Sequence, residues 1–199
     1  MAKKCYVTSM NTPHTENMVF EKIVWQENPL KKGVYEECTF KNCNFNNADL
    51  TAFTFRECTF KECDLSLAKL NDTCLQDVRF RSCKLLGLQF NQCREFLLSL
   101  DFENCMLKLA TFFKLKLKNT RFSGCELHEA DFTEADMSGS LFEKCDFQQA
   151  IFMHTNLEKA DFRSAVNYSI NPEHNRLRKA RFTLPEVTGL LDFYDIVIE

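Results

Sequence analysis

The sequence predicts an all-β solenoid with four sides, and three observations carry that reading. A large apolar residue recurs every five positions over most of the chain. A small residue stands two places before most of these centres, and the remaining positions are mostly polar or charged. A period of five matches neither the helical repeat of 3.6 nor the strand repeat of 2. It matches a chain that turns a corner every five residues, with one large and one small side chain pointing inward on each side. Four sides make a coil of about 20 residues, so side chains 20 apart stack on one another.

The register can be followed residue by residue. Five-residue steps run from Tyr35 through Phe40, Phe45, Leu50, Phe55, Phe60, Leu65, Leu70, Leu75, Phe80, Leu85 and Phe90, twelve centres in all. A two-residue slip follows across Asn91 to Phe96. The pattern resumes at Leu97 and continues through Phe102, Leu107, Phe112, Leu117, Phe122, Leu127, Phe132, Met137, Phe142, Phe147, Phe152, Leu157 and Phe162, fourteen more. The small positions carry Cys, Ala, Thr or Ser, as at Cys38, Ala48, Thr73, Ala110, Thr120, Ala130, Ser140 and Ala165. Coils stacked at the inter-strand spacing would build a rod of about 30 Å. The slip must break one corner. It reads either as a bulge that lets Leu88 and Leu100 take the small inward slot, or as a short protruding contact loop.

This register accounts for two oddities of composition, eleven cysteines and twenty phenylalanines in 199 residues. Cys38, Cys43, Cys58, Cys63, Cys83, Cys105, Cys125 and Cys145 all fall on the small inward position, where a thiol acts as a compact hydrophobe. No C-x2-C pair of the kind that binds zinc is present. Free buried thiols, the lack of a charged-then-apolar leader and the lack of a long apolar run predict a cytoplasmic protein without membrane contact.

Residues 1–17 show no repeat and are expected to form an N-terminal arm. The solenoid is expected over 18–166, with Met18, Phe20, Ile23 and Trp25 already near its register. Residues 167–199 are expected to form a C-terminal cap and dimerisation tail. Within it, Thr183-Leu184-Pro185-Glu186 reads as a capping box. Val187, Leu190, Leu191 and Tyr194 then follow at helical spacing, and Ile196-Val197-Ile198 reads as a strand. Such a tail covers the last open coil. The apolar set Val187, Leu190, Leu191, Tyr194, Ile196 and Ile198 exceeds what one cap needs, which predicts a homodimer through the same tail.

No catalytic residue, cofactor or metal is expected. His14, His128, His154 and His174 are scattered, and no nucleophile elbow, phosphate loop or dinucleotide fingerprint occurs. Charge is more informative. Glu126, Glu129, Asp131, Glu134, Asp136, Glu143, Asp146, Glu158 and Asp161 stand in one segment against Lys144 and Lys159, while the whole chain has a net charge of -3. That balance argues against direct nucleic-acid binding. The nine carboxylates are the expected partner-binding acidic face, with Lys114 and Lys116 stacked beside Glu134 and Asp136. An alternative remains, in which the aspartates serve the repeat and the face is merely solvated.

The stretches Ala48-Asp49-Leu50, Ala130-Asp131-Phe132-Thr133-Glu134-Ala135-Asp136-Met137 and Ala160-Asp161-Phe162 resemble the A-(D/N)-(L/F)-x-x signature of the pentapeptide-repeat family, over roughly Tyr35 to Ala165. The resemblance implies a right-handed quadrilateral β-helix with Phe and Leu ladders inside. The interrupted repeat block and the capped tail look like the topoisomerase-protection members of that family, the Qnr, MfpA and albicidin-resistance proteins. Those members imply a dimeric rod that imitates duplex DNA, engages DNA gyrase and relieves topoisomerase poisons. The competing expectation is a structural scaffold with another cytoplasmic protein partner.

Overall fold

The computed structural model describes residues 13–194, Ile196 and Val197, and over them the chain winds as a right-handed four-sided β-helix. Two parallel sheets form where the sides are straightest. One contains His14–Glu16, Val34–Glu36, Thr54–Arg56 and Cys74–Gln76. The other runs through Val19–Glu21, Thr39–Lys41, Thr59–Lys61, Val78–Arg81, Leu100–Glu103, Arg121–Ser123 and Leu141–Glu143. Single parallel bridges such as Glu126 with Asp146 and Asp131 with Ile151 stack the remaining sides. Naming each side by its inward residues, the first carries Tyr35 and Phe55, the second Phe40 and Phe60, the third Phe45 and Leu65, and the fourth Leu50 and Leu70.

The five-residue period becomes ladders of identical rings. On the second side Phe20, Phe40, Phe60, Phe80, Phe102, Phe122, Phe142, Phe162 and Phe182 follow one another, with adjacent centroids 4.6–5.5 Å apart. On the fourth side Phe90, Phe112, Phe132 and Phe152 stack face to face at 5.0–5.1 Å. The two ladders meet edge to face, as between Phe112 and Phe122. Burying one such side chain contributes about 1.5–3 kcal/mol, and well-placed ring pairs add about 0.5–1.5 kcal/mol. The rod is therefore held mainly by contacts between neighbouring coils.

The small inward slot does more than leave room. Its side chain donates to a main-chain oxygen of the preceding coil, 23 residues earlier: Thr73 to Leu50 at 2.8 Å, Ser140 to Leu117 at 3.0 Å, Thr155 to Phe132 at 2.8 Å. Cys58, Cys63 and Cys83 use the same geometry toward Tyr35, Phe40 and Phe60 at 3.3–3.4 Å. A thiol or hydroxyl thus fills the slot and satisfies a buried acceptor. All ten cysteines among the described residues are buried, Cys74 and Cys93 included. Burial pushes the Cys58 and Cys93 thiols up to about 12, which keeps them protonated and unreactive at neutral pH.

Corners carry the backbone cost. The last residue of nearly every unit lies in the left-handed region, for example Asn42 at φ 52°, Glu57 at 51° and Glu129 at 56°. An L residue there loses about 1–2 kcal/mol. The same residue recovers part of it by donating its amide to the next coil, Asn42 to Lys61 at 3.0 Å and Glu57 to Gln76 at 2.8 Å. The aspartate of the signature tightens the turn as well. Asp49, Asp64, Asp131 and Asp136 each accept the amide two residues on, at 2.9–3.1 Å.

The solenoid is longer at both ends than the expected 18–166. Its first pairing is His14–Glu16 with Val34–Glu36, and its last bridges join Asn156 to Arg176 and Asp161 to Arg181. Residues 1–12 of the expected arm lie outside the described residues. The slip resolves as a bulge, because Val78 pairs with Leu100 and Phe80 with Phe102 where other coils are offset by 20. Leu88 and Leu100 do fill small inward slots. Leu97, however, is exposed in a left-handed corner, and Leu98 takes the inward place expected for it.

The tail also departs from expectation. It is two 3-10 turns, Glu186–Leu190 and Asp192–Tyr194, and no side chain caps the first of them. The capping box is not made; the Val187 amide donates instead to the Thr183 main-chain oxygen at 3.0 Å. Gly189 explains the tight turn. It is buried and accepts the Ile170 amide at 2.9 Å, and any Cβ on it would collide with the Tyr168 carbonyl. A glycine in mid-helix is unfavourable in any case. Ile196 and Val197 form no strand, and Ile198 lies outside the described residues.

Candidate functional site

With the interior filled by rings and aliphatic side chains, the chemistry of the rod lies on its outer positions. Among the described residues no group of His, Cys, Asp and Glu is placed to hold a metal ion, and no helix is long and apolar enough to cross a membrane. A polar cleft of about 390 Å³ opens where Gln148 and Asn167 meet Glu186 and Asp192 of the tail. It is lined by amides, carboxylates, Thr188 and Tyr168.

The nine carboxylates do not form the single face expected of them. A step of five residues carries the chain to the next side, so a run of acids in sequence winds around the rod. Asp136 and Glu158 fall on the first side, Glu143 and Asp161 on the second, Glu126 and Asp146 on the third and Asp131 on the fourth. Glu129 and Glu134 occupy left-handed corners at φ 56° and 57°.

Five of the nine also have a lysine or arginine at hand, and a sixth has a histidine. Glu129 pairs with Lys108 at 3.1 Å, Glu134 with Lys114 at 3.5 Å and Asp136 with Lys118 at 3.2 Å. Glu143 pairs with Arg121 at 3.2 Å, Asp146 with His128 at 3.2 Å and Asp161 with Arg163 at 2.7 Å. Lys114 thus sits beside Glu134 and Lys116 beside Asp136, its bridged neighbour on the adjoining coil, as expected, while the ion pair of Asp136 is made by Lys118. Glu126, Asp131 and Glu158 have no cation within ion-pair distance among the described residues. Exposed pairs of this kind contribute only about 0–1 kcal/mol each.

The pairing shows in the acidities. Hydrogen bonds from Arg121 and then Ser123 hold the Glu143 carboxyl below its ordinary range. Those from Arg163 do the same for Asp161. For Asp136 and Asp146, partial burial alone would raise the value, but it is outweighed by Ser138 and Lys118 at the first and by Asn167 and His128 at the second. Asp131, Asp136, Asp146 and Asp161 also each accept the main-chain amide two residues on. The solenoid geometry by itself accounts for these four aspartates.

The residues expected at a dimer interface separate into two groups. Val187 and Leu191 are half-buried and Leu190 packs on the core, so they belong to the cap. Tyr194 and Ile196 are exposed. They are joined by Leu184, Phe193 and Val197, which the helical reading did not single out. The signal for them was the apolar content of the tail taken without a helical period.

A family model for the pentapeptide repeat region matches residues 35–95 and 97–169, breaking within the slip. The chain belongs to the pentapeptide-repeat family. Full-length QnrB1, described as a plasmid-mediated fluoroquinolone resistance protein, superposes with a TM-score of 0.54 at 19% identity, over 92% of this chain and 100% of that one. A trypsin-treated variant of QnrB1 gives a TM-score of 0.56 at 20% identity, over 95% and 100%. These likenesses establish a shared solenoid architecture for this pentapeptide-repeat rod. No curated protein matches it in sequence.

Proposed function

We propose that this chain is a non-catalytic, dimeric binding rod of the cytoplasm that engages a type II topoisomerase of the DNA gyrase kind and relieves its poisons. The observation that carries the reading is the winding of the carboxylates. From Glu126 to Asp161 they pass around all four sides of a rigid rod, as phosphates pass around a duplex, so a groove built for DNA meets charge on every side. The tail supports the dimer, since Leu184, Phe193, Tyr194, Ile196 and Val197 are each exposed in it.

A second reading is favoured by a specific observation, the pairing of five of the nine carboxylates with lysine or arginine. Paired charge weakens the field that a DNA mimic offers and fits a scaffold for another protein partner. A supercoiling assay with purified gyrase, titrated with this protein in the presence and absence of a fluoroquinolone, decides between them. Restored supercoiling in the presence of drug, or inhibition by the protein alone, supports the first reading. An unchanged assay across the titration rejects it and leaves the scaffold.

A further inference from the structure

We propose that the last coil of the rod, at Arg176, Arg178, Lys179 and Arg181, is a docking end for the phosphate backbone of duplex nucleic acid. The inference goes beyond the topoisomerase reading and does not depend on it.

The chain closes its first and second sides a final time over residues 175–184, where Asn156 bridges to Arg176 and Asp161 to Arg181. The large inward positions of this turn are taken by Leu177 and Phe182, which pack on the core. Its outward positions carry Arg176, Arg178, Lys179 and Arg181, all exposed, and no acid. The preceding coil adds Lys159 and Arg163 on the same two sides, also exposed. Lys159 and Lys179 share one corner on adjoining coils, and the Lys159 amide donates to the Arg178 main-chain oxygen at 3.0 Å. Toward the other end of the rod that corner holds Glu37, Glu57 and Asp77. Like charges opposed on neighbouring strands destabilise a sheet, so the fold gains nothing by stacking lysine on lysine.

The acids nearby do not cancel this charge. Over the last two coils the first and second sides hold Lys159, Arg163, Arg176, Arg178, Lys179 and Arg181 against Glu158 and Asp161, an excess of four positive charges. Asp161 is shared by Arg163 at 2.7 Å and Arg181 at 3.8 Å. Lys159, Arg176, Arg178 and Lys179 have no carboxylate within ion-pair distance among the described residues. Farther out, Glu143 is paired with Arg121 at 3.2 Å, and Glu173 accepts the Tyr194 hydroxyl at 3.4 Å. Glu186 and Asp192 of the tail line the cleft with Gln148 and Asn167, away from these two sides. The net charge of -3 for the whole chain averages over this end.

The make-up of the end selects the occupant. A protein interface has an apolar, aromatic-rich centre from which lysine is depleted. The outward residues of this coil are instead Arg176, Arg178, Lys179, Arg181 and Thr183. Single-stranded nucleic acid is held by stacking its bases on aromatic side chains, and none stands among them. Three arginines offer the forked donors that match phosphate oxygens. A duplex presents such oxygens along its whole length and asks for no stacking partner.

The test uses the full chain and a labelled short DNA duplex of mixed sequence, with a labelled polyglutamate peptide in a parallel arm. Fluorescence anisotropy reads binding, and thermal unfolding is followed alongside. The duplex is expected to bind at low salt and to weaken about 100-fold between about 50 and 200 mM, as release of about four counterions requires. Arg178→Glu with Lys179→Glu is expected to weaken binding at least about tenfold and to lower the salt slope by about 2. The milder Arg178→Gln with Lys179→Asn is expected to weaken it in the same direction at an unchanged unfolding temperature, because asparagine suits the corner. Lys31→Glu with Lys32→Glu alters the net charge equally but lies at the other end of the rod. It is expected to leave binding within about twofold, since charges that far apart are screened. No duplex binding at low salt, equal losses in the two reversal variants, or undiminished binding by the milder variant would overturn the proposal. So would tighter binding of polyglutamate than of the duplex, which would assign the end to an acidic protein.

Discussion

Asp136 is held from two directions at once, by the Lys118 ammonium at 3.2 Å from the neighbouring coil and by the Ser138 amide at 3.1 Å from its own turn. The same doubling occurs at Asp161, which accepts the Arg163 amide of its own turn and pairs with Arg181 of the neighbouring coil at 3.8 Å. Such carboxylates are both tie points between coils and acceptors within a corner.

A pH dependence follows with a definite sign. Asp49, Asp136, Asp146, Asp161 and Glu143 all have acidities below their ordinary values of 3.8 and 4.5 in the folded chain. A group depressed in this way binds its proton more readily when unfolded, so its contribution is fully present above the unfolded value and is lost as pH falls through the folded one. The unfolding temperature is expected to stay level from neutrality to about pH 5 and to fall below about pH 4. Calorimetry across that range checks it. A curve that stays flat to about pH 2 would show that these contacts contribute nothing to the fold.

The inner ladders predict large local losses. Phe132 is fully buried and stacks on Phe112 at 5.0 Å and on Phe152 at 5.1 Å. Phe132→Ala is expected to destabilise the rod by about 3–5 kcal/mol, the usual range for a buried ring. Denaturant unfolding reads it, and a loss near zero would contradict the inward placement.

Much of this was legible in the chain, and the reason is physical. A strict period of five fixes which side chains face inward, so the ring ladders and the cysteine slots can be written down from spacing alone. The hydrogen bond from Ser140 to Leu117 was not visible, because it joins residues 23 apart and depends on coil stacking. The acidic face failed for a related reason. Residues near in sequence, such as Glu126 and Asp131, lie on different sides of the rod, and a count of charges along the chain ignores that rotation. The tail misled because Val187, Leu190, Leu191 and Tyr194 keep helical spacing, while the close approach of Gly189 to Tyr168 decides the actual turn.

The donor slot gives a sharper prediction than packing alone. Ser140 and Thr155 are fully buried, and each satisfies one main-chain oxygen. Thr155→Val keeps the volume and removes the hydroxyl's bond to the Phe132 oxygen, which still accepts the Ala135 amide at 3.0 Å, and is expected to cost about 0.5–1.5 kcal/mol. Cys58→Ser keeps a donor toward Tyr35 and is expected to lose less. Measured in parallel by denaturant unfolding, the valine variant should be the weaker of the two. The reverse order would mean that slot volume, not donation, decides what the position accepts.

The tail separates capping from association. Leu190 packs on the core, whereas Phe193 and Ile196 are 57% and 55% exposed. Leu190→Asp is expected to lower the unfolding temperature by exposing the last coil, since a charge there has no partner to offset its burial. Phe193→Asp with Ile196→Asp is expected to leave the unfolding temperature of the monomer unchanged and to abolish the dimer in sedimentation velocity. A dimer that survives the double substitution would place the association surface elsewhere on the rod. A parent chain that sediments as a monomer at every concentration tested would remove the dimer from the proposed function altogether, and the exposed tail would then need a different partner to cover it.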